Sequence, residues 1–560
     1  MEKRAILAIV LSLVVVVVWM KFFAPKPLVR PPVAEREIGN RPKDRFGAGQ
    51  KMAQQIPVQK PQELQETLVT VDTGVAQLTL SSLGASVKAV QLHEYRISLD
   101  DKAPPIEIRP VITGENLPLT TKLSIGSQEI PLGNAIFVPS VTRLVLSASQ
   151  PQGKVTFNLD MGEGMLVERV YRFHYEDYVF EVDTQVSGVP LSDDSAMTLY
   201  WGPGLRQRHE KANSRRGQTG TEPRSYIDGK VVDAAPGKIG ETIETQGRVT
   251  WTALADTYFA VVLIPYEPVA GAVTIRQVEE KILEIGLRLP LSRTHRAQAV
   301  RVYVGPKQQQ LLEAAEPSLS KRLIDLGWLQ PLAWPMVLLL QFVNGIVRNY
   351  GIAIIVVTIL IKMLTWPLTQ KSYKSMQAMQ KLQPKIKELQ ILYKDDRQAM
   401  NRAMMQLYRD QKVNPMGSCL PMLLQIPFFF AFYNALLYSI ESRHAPFICW
   451  GEGFAWINLF GQSWPGGGVC DLSVYDPTFI MPILMGVGML LQQRMTPMTG
   501  DPMQAKMMQF MPLIFLFFFI KAPAGLVLYW LTNTVLSVLQ QRLVNRPRLA
   551  AAEAEAIGKG

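Results

Sequence analysis

Hydrophobic positions change their rhythm three times along this chain. An apolar run spans residues 5–20, short alternating segments occupy roughly 68–304, and long unbroken apolar stretches fill much of the last two-fifths. Alternation with period 2 marks half-buried strands, whereas a helix needs about 20 apolar residues to cross a hydrocarbon layer about 30 Å thick. In the middle region Tyr171, Phe173 and Tyr175 alternate with polar neighbours. So do Leu283, Ile285, Leu287 and Leu289, and then Val300, Val302 and Val304, with glycines and prolines between the segments and no long helical stripe. The pattern predicts an antiparallel β-sandwich over residues 63–312.

The flanking regions read differently. Lys3 and Arg4 precede the first apolar run, which ends in Trp19, Met20, Lys21, Phe22 and Phe23 with no A-x-A cleavage pattern. An uncleaved signal anchor over residues 1–23, N-terminus inside, is expected. Pro25, Pro27, Pro31, Pro32 and Pro42 sit among charges in residues 24–62, a linker without a core. After the sandwich, Leu323, Leu326, Leu329 and Leu332 share one side of a predicted helix, with Lys321, Arg322 and Asp325 opposite. Its second half is apolar, but Pro331, Pro335, Gln341 and Asn344 favour a helix lying along a membrane interface over residues 313–349.

The remaining runs are a span over 350–371 and four more within 414–543, at about 418–440, 478–491, 507–520 and 526–539. Between residues 371 and 412 there are ten Lys/Arg against four Asp/Glu; between 441 and 475 one arginine stands against three acids. Positive loops stay in the cytoplasm, so the first segment is inside and the second outside. The expectation is a multispan α-helical membrane protein with six spans, both termini cytoplasmic, a large external β-sandwich domain and a cytoplasmic tail over 544–560. Residues 372–413 form a cytoplasmic helical hairpin: Met376, Met379, Leu382, Ile386, Leu389 and Tyr393 recur at helical spacing, and Met400, Met404, Leu407 and Tyr408 resume it, with a bend at Pro384.

Composition narrows the function. The chain has 560 residues, 48% of them hydrophobic, and a formal charge of +11. Its basic residues flank apolar segments instead of forming a patch with interleaved aromatics, so DNA is not the expected partner. Cys419 opens a span, while Cys449 and Cys470 share one short loop, where a disulfide and two free thiols are both open. The histidines His93, His174, His209 and His295 are scattered, and HExxH, GxSxG and Walker patterns are missing. No enzyme activity, metal or cofactor is expected, and the β domain reads as a binding or spacer unit.

One residue breaks the hydrophobic pattern. Lys362 lies inside an apolar run, where insertion scales put the cost of a central cation at about 3 kcal/mol. Snorkelling to the interface and a buried polar setting are both open. For the second, Thr358 shares its helix face, while Gln425 and Asn434 on the next span and Thr532 and Asn533 on the last could supply partners.

Three motifs then carry a resemblance. The stretches NPMGSCLPMLLQIP at 414–427, DPMQAKMMQFMP at 501–512 and PAGLVLYWLTN at 523–533 are similar to those of the YidC family of membrane protein insertases. The resemblance covers about 344–543, and the anchor plus large β domain resembles Gram-negative members. It implies a five-helix insertase core enclosing a hydrophilic groove, closed to the outside and open to the cytoplasm and lipid, with a periplasmic β-sandwich like that of sugar enzymes but without catalysis. The family's one groove cation falls on Lys362, where many members have arginine, and substrate-contact positions fall on Phe429, Phe518, Tyr529 and Trp530. The resemblance also implies the bacterial inner membrane, nascent integral membrane proteins as substrates, the Sec translocon as partner, and a ribosome or signal recognition pathway. Against the ribosome, the tail after Leu543 is too weakly basic for the polybasic tails of some relatives. Two other readings compete: a secondary transporter using Lys362 and an anchored periplasmic carbohydrate-binding protein. The first lacks an internal repeat and an intramembrane carboxylate.

Overall fold

The computed structural model describes residues 65–557 except 99–102, 111–116, 163, 193, 208–220, 280–281, 293–295, 394–395, 412, 414–419, 451–466, 470 and 496–501. The expected anchor and linker therefore lie outside the described residues, as do Cys419 and Cys470.

Among the described residues, two sheets make the β domain. One has six strands, and antiparallel pairing dominates it; the exception is a parallel pair between Leu68–Asp72 and Arg143–Val145. The other has 14 strands, with Phe259–Pro265 and Ala297–Pro306 near its centre and antiparallel pairing throughout. Alternation places side chains as the sequence predicts: Tyr171, Phe173, Leu283, Ile285, Leu287, Leu289, Val300, Val302 and Val304 are all buried. Each apolar residue so buried stabilises the fold by about 1.5–3 kcal/mol, before the entropy of ordering is counted.

The predicted helix after the sandwich is not continuous. A short α1 (Gln309–Ala315) precedes it, and the helix itself is broken into α2 (Leu319–Leu323) and α3 (Gln330–Val347). The break falls where Gly327 adopts φ +72°, a left-handed conformation, and its N–H bonds back to Asp325 Oδ1 at 2.8 Å. Side chains of the β domain fasten α2 and the turn. Arg224 donates to Arg322 O at 2.8 Å and to Asp325 Oδ2 at 2.9 Å, and Trp251 Nε1 donates to Ser318 Oγ at 2.8 Å.

Lys307, just past the last strand of the large sheet, is buried, and its Nζ donates to Asp256 O at 2.9 Å. Burial pushes its pKa down to about 8. Between about pH 8 and the ordinary lysine value near 10.5 the unfolded chain therefore binds more protons than the folded one, so stability rises with pH across that window. Below pH 8 both states are charged and the cost of burying the cation is fully present. Lys307→Met should raise β-domain stability at pH 7.5 by about 2 kcal/mol, the gain shrinking toward pH 10.5. Urea unfolding of the full chain at several pH values checks this; an unchanged midpoint at pH 7.5 would refute it.

The helical part follows. Helix α4 runs unbroken over Tyr350–Leu392 through Pro367 and Pro384, then α5 (Arg397–Asp410) completes the hairpin, capped by Asp396 through the N–H groups of Gln398 and Ala399. Met376, Met379, Leu382 and Ile386 are buried, so the hairpin's seam on α4 is a packed one. Helices α6 (Leu420–Tyr438), α7 (Ile480–Met495), α8 (Pro502–Phe519) and α9 (Ala524–Ile557) complete the bundle. Residues 544–557, expected as a tail, continue α9 without a break.

By length and composition, Gly327–Val347 and α4 are long and apolar enough to cross a membrane. Helix α3 packs against α4 and α6, burying Ala333, Met336, Leu340 and Val343. Before it, Leu326 O accepts from Asn434 Nδ2 at 2.9 Å; within it, Gln341 Nε2 donates to Glu441 Oε1 at 2.9 Å; after it, Asn349 Nδ2 donates to Phe447 O at 2.9 Å. Asn434 lies one turn before the end of α6, and Glu441 and Phe447 lie in the segment beyond it. On the other side of α3, Trp328, Phe342 and Ile346 are exposed at 71%, 67% and 68%, a surface suited to lipid. Arg443 from the loop after α6 donates to Arg96 O at 3.1 Å and lies over the Tyr258 ring, joining the bundle to the β domain.

Candidate functional site

The site sits between α4 and α9. Helix α4 starts at an asparagine cap, Asn349, whose Oδ1 accepts from Ile352 N at 3.0 Å. Lys362 lies about 18 Å further along, at about 1.5 Å per residue. The lysine is buried, and its Nζ donates to Ser537 Oγ at 2.7 Å and to Asn533 Oδ1 at 3.4 Å on α9. Below this pair, Gln540 Nε2 donates to Thr369 Oγ1 at 2.8 Å and to Trp366 O at 3.3 Å, and Gln377 Nε2 donates to Val544 O at 3.1 Å. Partners on the two helices advance together, so α4 and α9 run parallel. Helix α7 joins with the same sense: Gly488 packs against Thr534, and Gln541 Nε2 donates to Met495 O at 2.8 Å.

Nearer the start of α9 the chemistry changes. Phe432 of α6 stacks on Tyr529 with centroids 4.4 Å apart, and Trp530 meets Phe429, Phe519 and Phe515 at 4.9, 5.3 and 5.4 Å. These rings tie α6, α8 and α9 together about 8 Å into α9, whereas Asn533, Ser537 and Gln540 begin about 14 Å in. An aromatic layer thus lies on the β-domain side of a polar layer. The polar layer is wholly neutral apart from Lys362: among the described residues no carboxylate pairs with it.

The expected site residues separate into two groups. Lys362 and Asn533 meet, and Thr358 is buried one turn away with its hydroxyl donating to Ile354 O at 2.6 Å. Gln425 and Thr532 are half-buried and share no hydrogen bond with Lys362. Asn434 belongs elsewhere: sitting one turn from the end of α6, it caps the Leu326 carbonyl at the break before α3. Of the expected contact positions, Phe518 is exposed, Phe429 and Trp530 are half-buried, and Tyr529 is buried under Phe432. Ser537, Thr369 and Gln540 were not anticipated. The spacing of Asn533, Ser537 and Gln540, one helix face, was the available signal.

A family model described as the 60Kd inner membrane protein matches residues 342–552, and one described as the YidC periplasmic domain matches residues 68–339. A protein from Syntrophus aciditrophicus called membrane protein insertase YidC is 36% identical over 98% of this chain and 100% of its own. Its counterpart in Geobacter sulfurreducens is 37% identical over 99% and 100%, and that of Pelobacter propionicus 36% over 98% and 99%. The chain belongs to the YidC family of membrane protein insertases. YidC proteins are insertases and chaperones of the bacterial inner membrane, not enzymes, and the family places the β-sandwich in the periplasm.

Proposed function

We propose that this insertase receives the hydrophilic tail of a nascent membrane protein in the polar layer around Lys362 while the substrate's apolar segment passes into lipid. The observation that carries the reading is a buried ammonium held, among the described residues, by neutral acceptors, beneath an aromatic seal. Neutral partners lower the cost of burying the charge without cancelling it, so the site favours acidic tails over basic ones. Phe518, with Leu513, Ile514 and Phe517, offers an exposed apolar face along which a substrate helix would slide. Hydrophobic partition of the substrate supplies the driving force, joined for acidic tails by about 2.3 kcal/mol per charge per 100 mV of membrane potential.

In this reading the chain has six spans with both termini in the cytoplasm, and α3 lies along the periplasmic interface. The parallel run of α4, α7 and α9, and the hydrogen bonds from Gln341 and Asn349 to the segment after α6, support that topology. Its domains are then 1–23 anchor, 24–62 linker, 63–312 periplasmic, 313–349 interfacial, 350–371 span, 372–413 hairpin, 414–543 spans and 544–560 cytoplasmic. The insertase works alone or with the Sec translocon, and the cytoplasmic hairpin engages the substrate or a ribosome or signal recognition pathway. Crosslinking from positions 362, 429 and 518 to a stalled nascent membrane protein tests the path: adducts at all three are expected. Adducts at 518 alone would mean that the substrate bypasses the polar layer.

A further inference from the structure

We propose that Ser537 is a positioning residue for Lys362, fixing the ammonium so that it meets the carboxylates of an incoming tail. The inference rests on Lys362 being the groove's substrate-facing charge and goes beyond it in assigning what holds that charge in place.

The hydrogen-bond inventory carries it. Ser537 Oγ donates its own proton to Asn533 O at 2.7 Å, one turn back on α9. That leaves the hydroxyl oxygen as an acceptor toward α4, where the Lys362 ammonium donates to it at 2.7 Å. Asn533 Oδ1, at 3.4 Å, is the weaker second acceptor. A lysine ammonium has three N–H groups, so two are committed to neutral oxygens. The third has no protein partner among the described residues and is left for an anionic group. Had the protein needed only to tolerate a buried lysine, a carboxylate would have served better electrostatically, and it would have neutralised the charge. The rung below, Thr369 with Gln540, locks the axial register of α4 against α9, so Ser537 is held opposite Lys362. Lysine makes this cradle important, because its four-carbon stem is flexible and its charge compact; an arginine fork would reach several acceptors at once.

The test uses the full chain in proteoliposomes and two single-span reporters that differ only in three acidic or three neutral residues in the translocated tail. Ser537→Ala should lower the ratio of acidic to neutral insertion rates by about fivefold, the scale of one ordinary hydrogen bond and less than the loss of the charge itself. Ser537→Thr, which keeps the hydroxyl, should restore the ratio. In a Lys362→Met background Ser537→Ala should change the ratio no further. A purely structural Ser537 would slow both reporters equally and leave the ratio unmoved, which would overturn the proposal, as would an undiminished Ser537→Ala effect in the Lys362→Met background. Failure of the underlying reading looks different: Lys362→Met would then leave the ratio at its wild-type value.

Discussion

Lys362→Glu is expected to stop insertion of substrates with acidic translocated tails, Lys362→Ala to slow it at least tenfold, and Lys362→Arg to preserve it. The ranking follows from the site. Arginine keeps the charge and can donate to Ser537 and Asn533. Alanine removes a charge whose interaction with a carboxylate, as a charged hydrogen bond, is worth about 1.5–3 kcal/mol, or about tenfold to a hundredfold. Glutamate puts a like charge in a buried layer with no cation to offset it, so that both the tail and the new carboxylate must be desolvated together. Neutral-tailed substrates should feel Lys362→Ala little. Protease protection of paired reporters in cells depleted of their own insertase measures this. Wild-type rates for the acidic reporter with Lys362→Ala would end the charge-capture mechanism.

How much of this was readable beforehand depended on whether neighbours in sequence or neighbours in space decide the outcome. Period-2 alternation is local, and Tyr171, Phe173 and the leucines and isoleucine from 283 to 289 are buried as it requires. Lys362 stood out because a single charge in an apolar run is visible in one dimension. Its partner was not, because Lys362 and Ser537 are 175 residues apart and only the register of α4 against α9 brings them together. Asn434 shows the converse: a polar residue inside an apolar run looks like groove lining, yet a place one turn from the end of α6 lets it satisfy a carbonyl at the break before α3. That break was itself hidden, since the leucine stripe from 323 to 332 continues through it in sequence. The left-handed Gly327 interrupts the helix where the stripe does not.

The second large effect should come from the periplasmic domain and should leave insertion standing. Arg169 is wholly buried within the strand Leu166–His174. Its Nη1 donates to Leu119 O at 2.7 Å and to Gly84 O and Ala85 O at 3.2 Å each, Nε donates to Thr184 Oγ1 at 3.1 Å, and Nη2 donates to Thr121 Oγ1. No carboxylate pairs with it among the described residues; its solvation shell is made of carbonyls and hydroxyls. Those carbonyls point inward because Gly84 and Ala85 take positive φ values of 67° and 45° in the turn that joins two strands of the smaller sheet. A methyl on Gly84 would sit 2.8 Å from Gly133 O, so the turn cannot readily be rebuilt. Arg169 therefore ties the smaller sheet's turn to the larger sheet. Arg169→Met keeps the apolar stem but strands several buried acceptors, at a cost of about 3–5 kcal/mol. Arg169→Lys, with three donors in place of five, should recover about half of that. Proteolysis of the full chain in urea should show the β domain opening at a lower midpoint for Arg169→Met while the helical core stays protected. Because Lys362, Ser537 and the aromatic layer all lie in the helices, small substrates should still insert when the β domain is loosened. If insertion falls in step with the β-domain midpoint, the joint at Arg443 and the turn before α3 transmit the periplasmic domain's state to the core, and the domain is part of the machine.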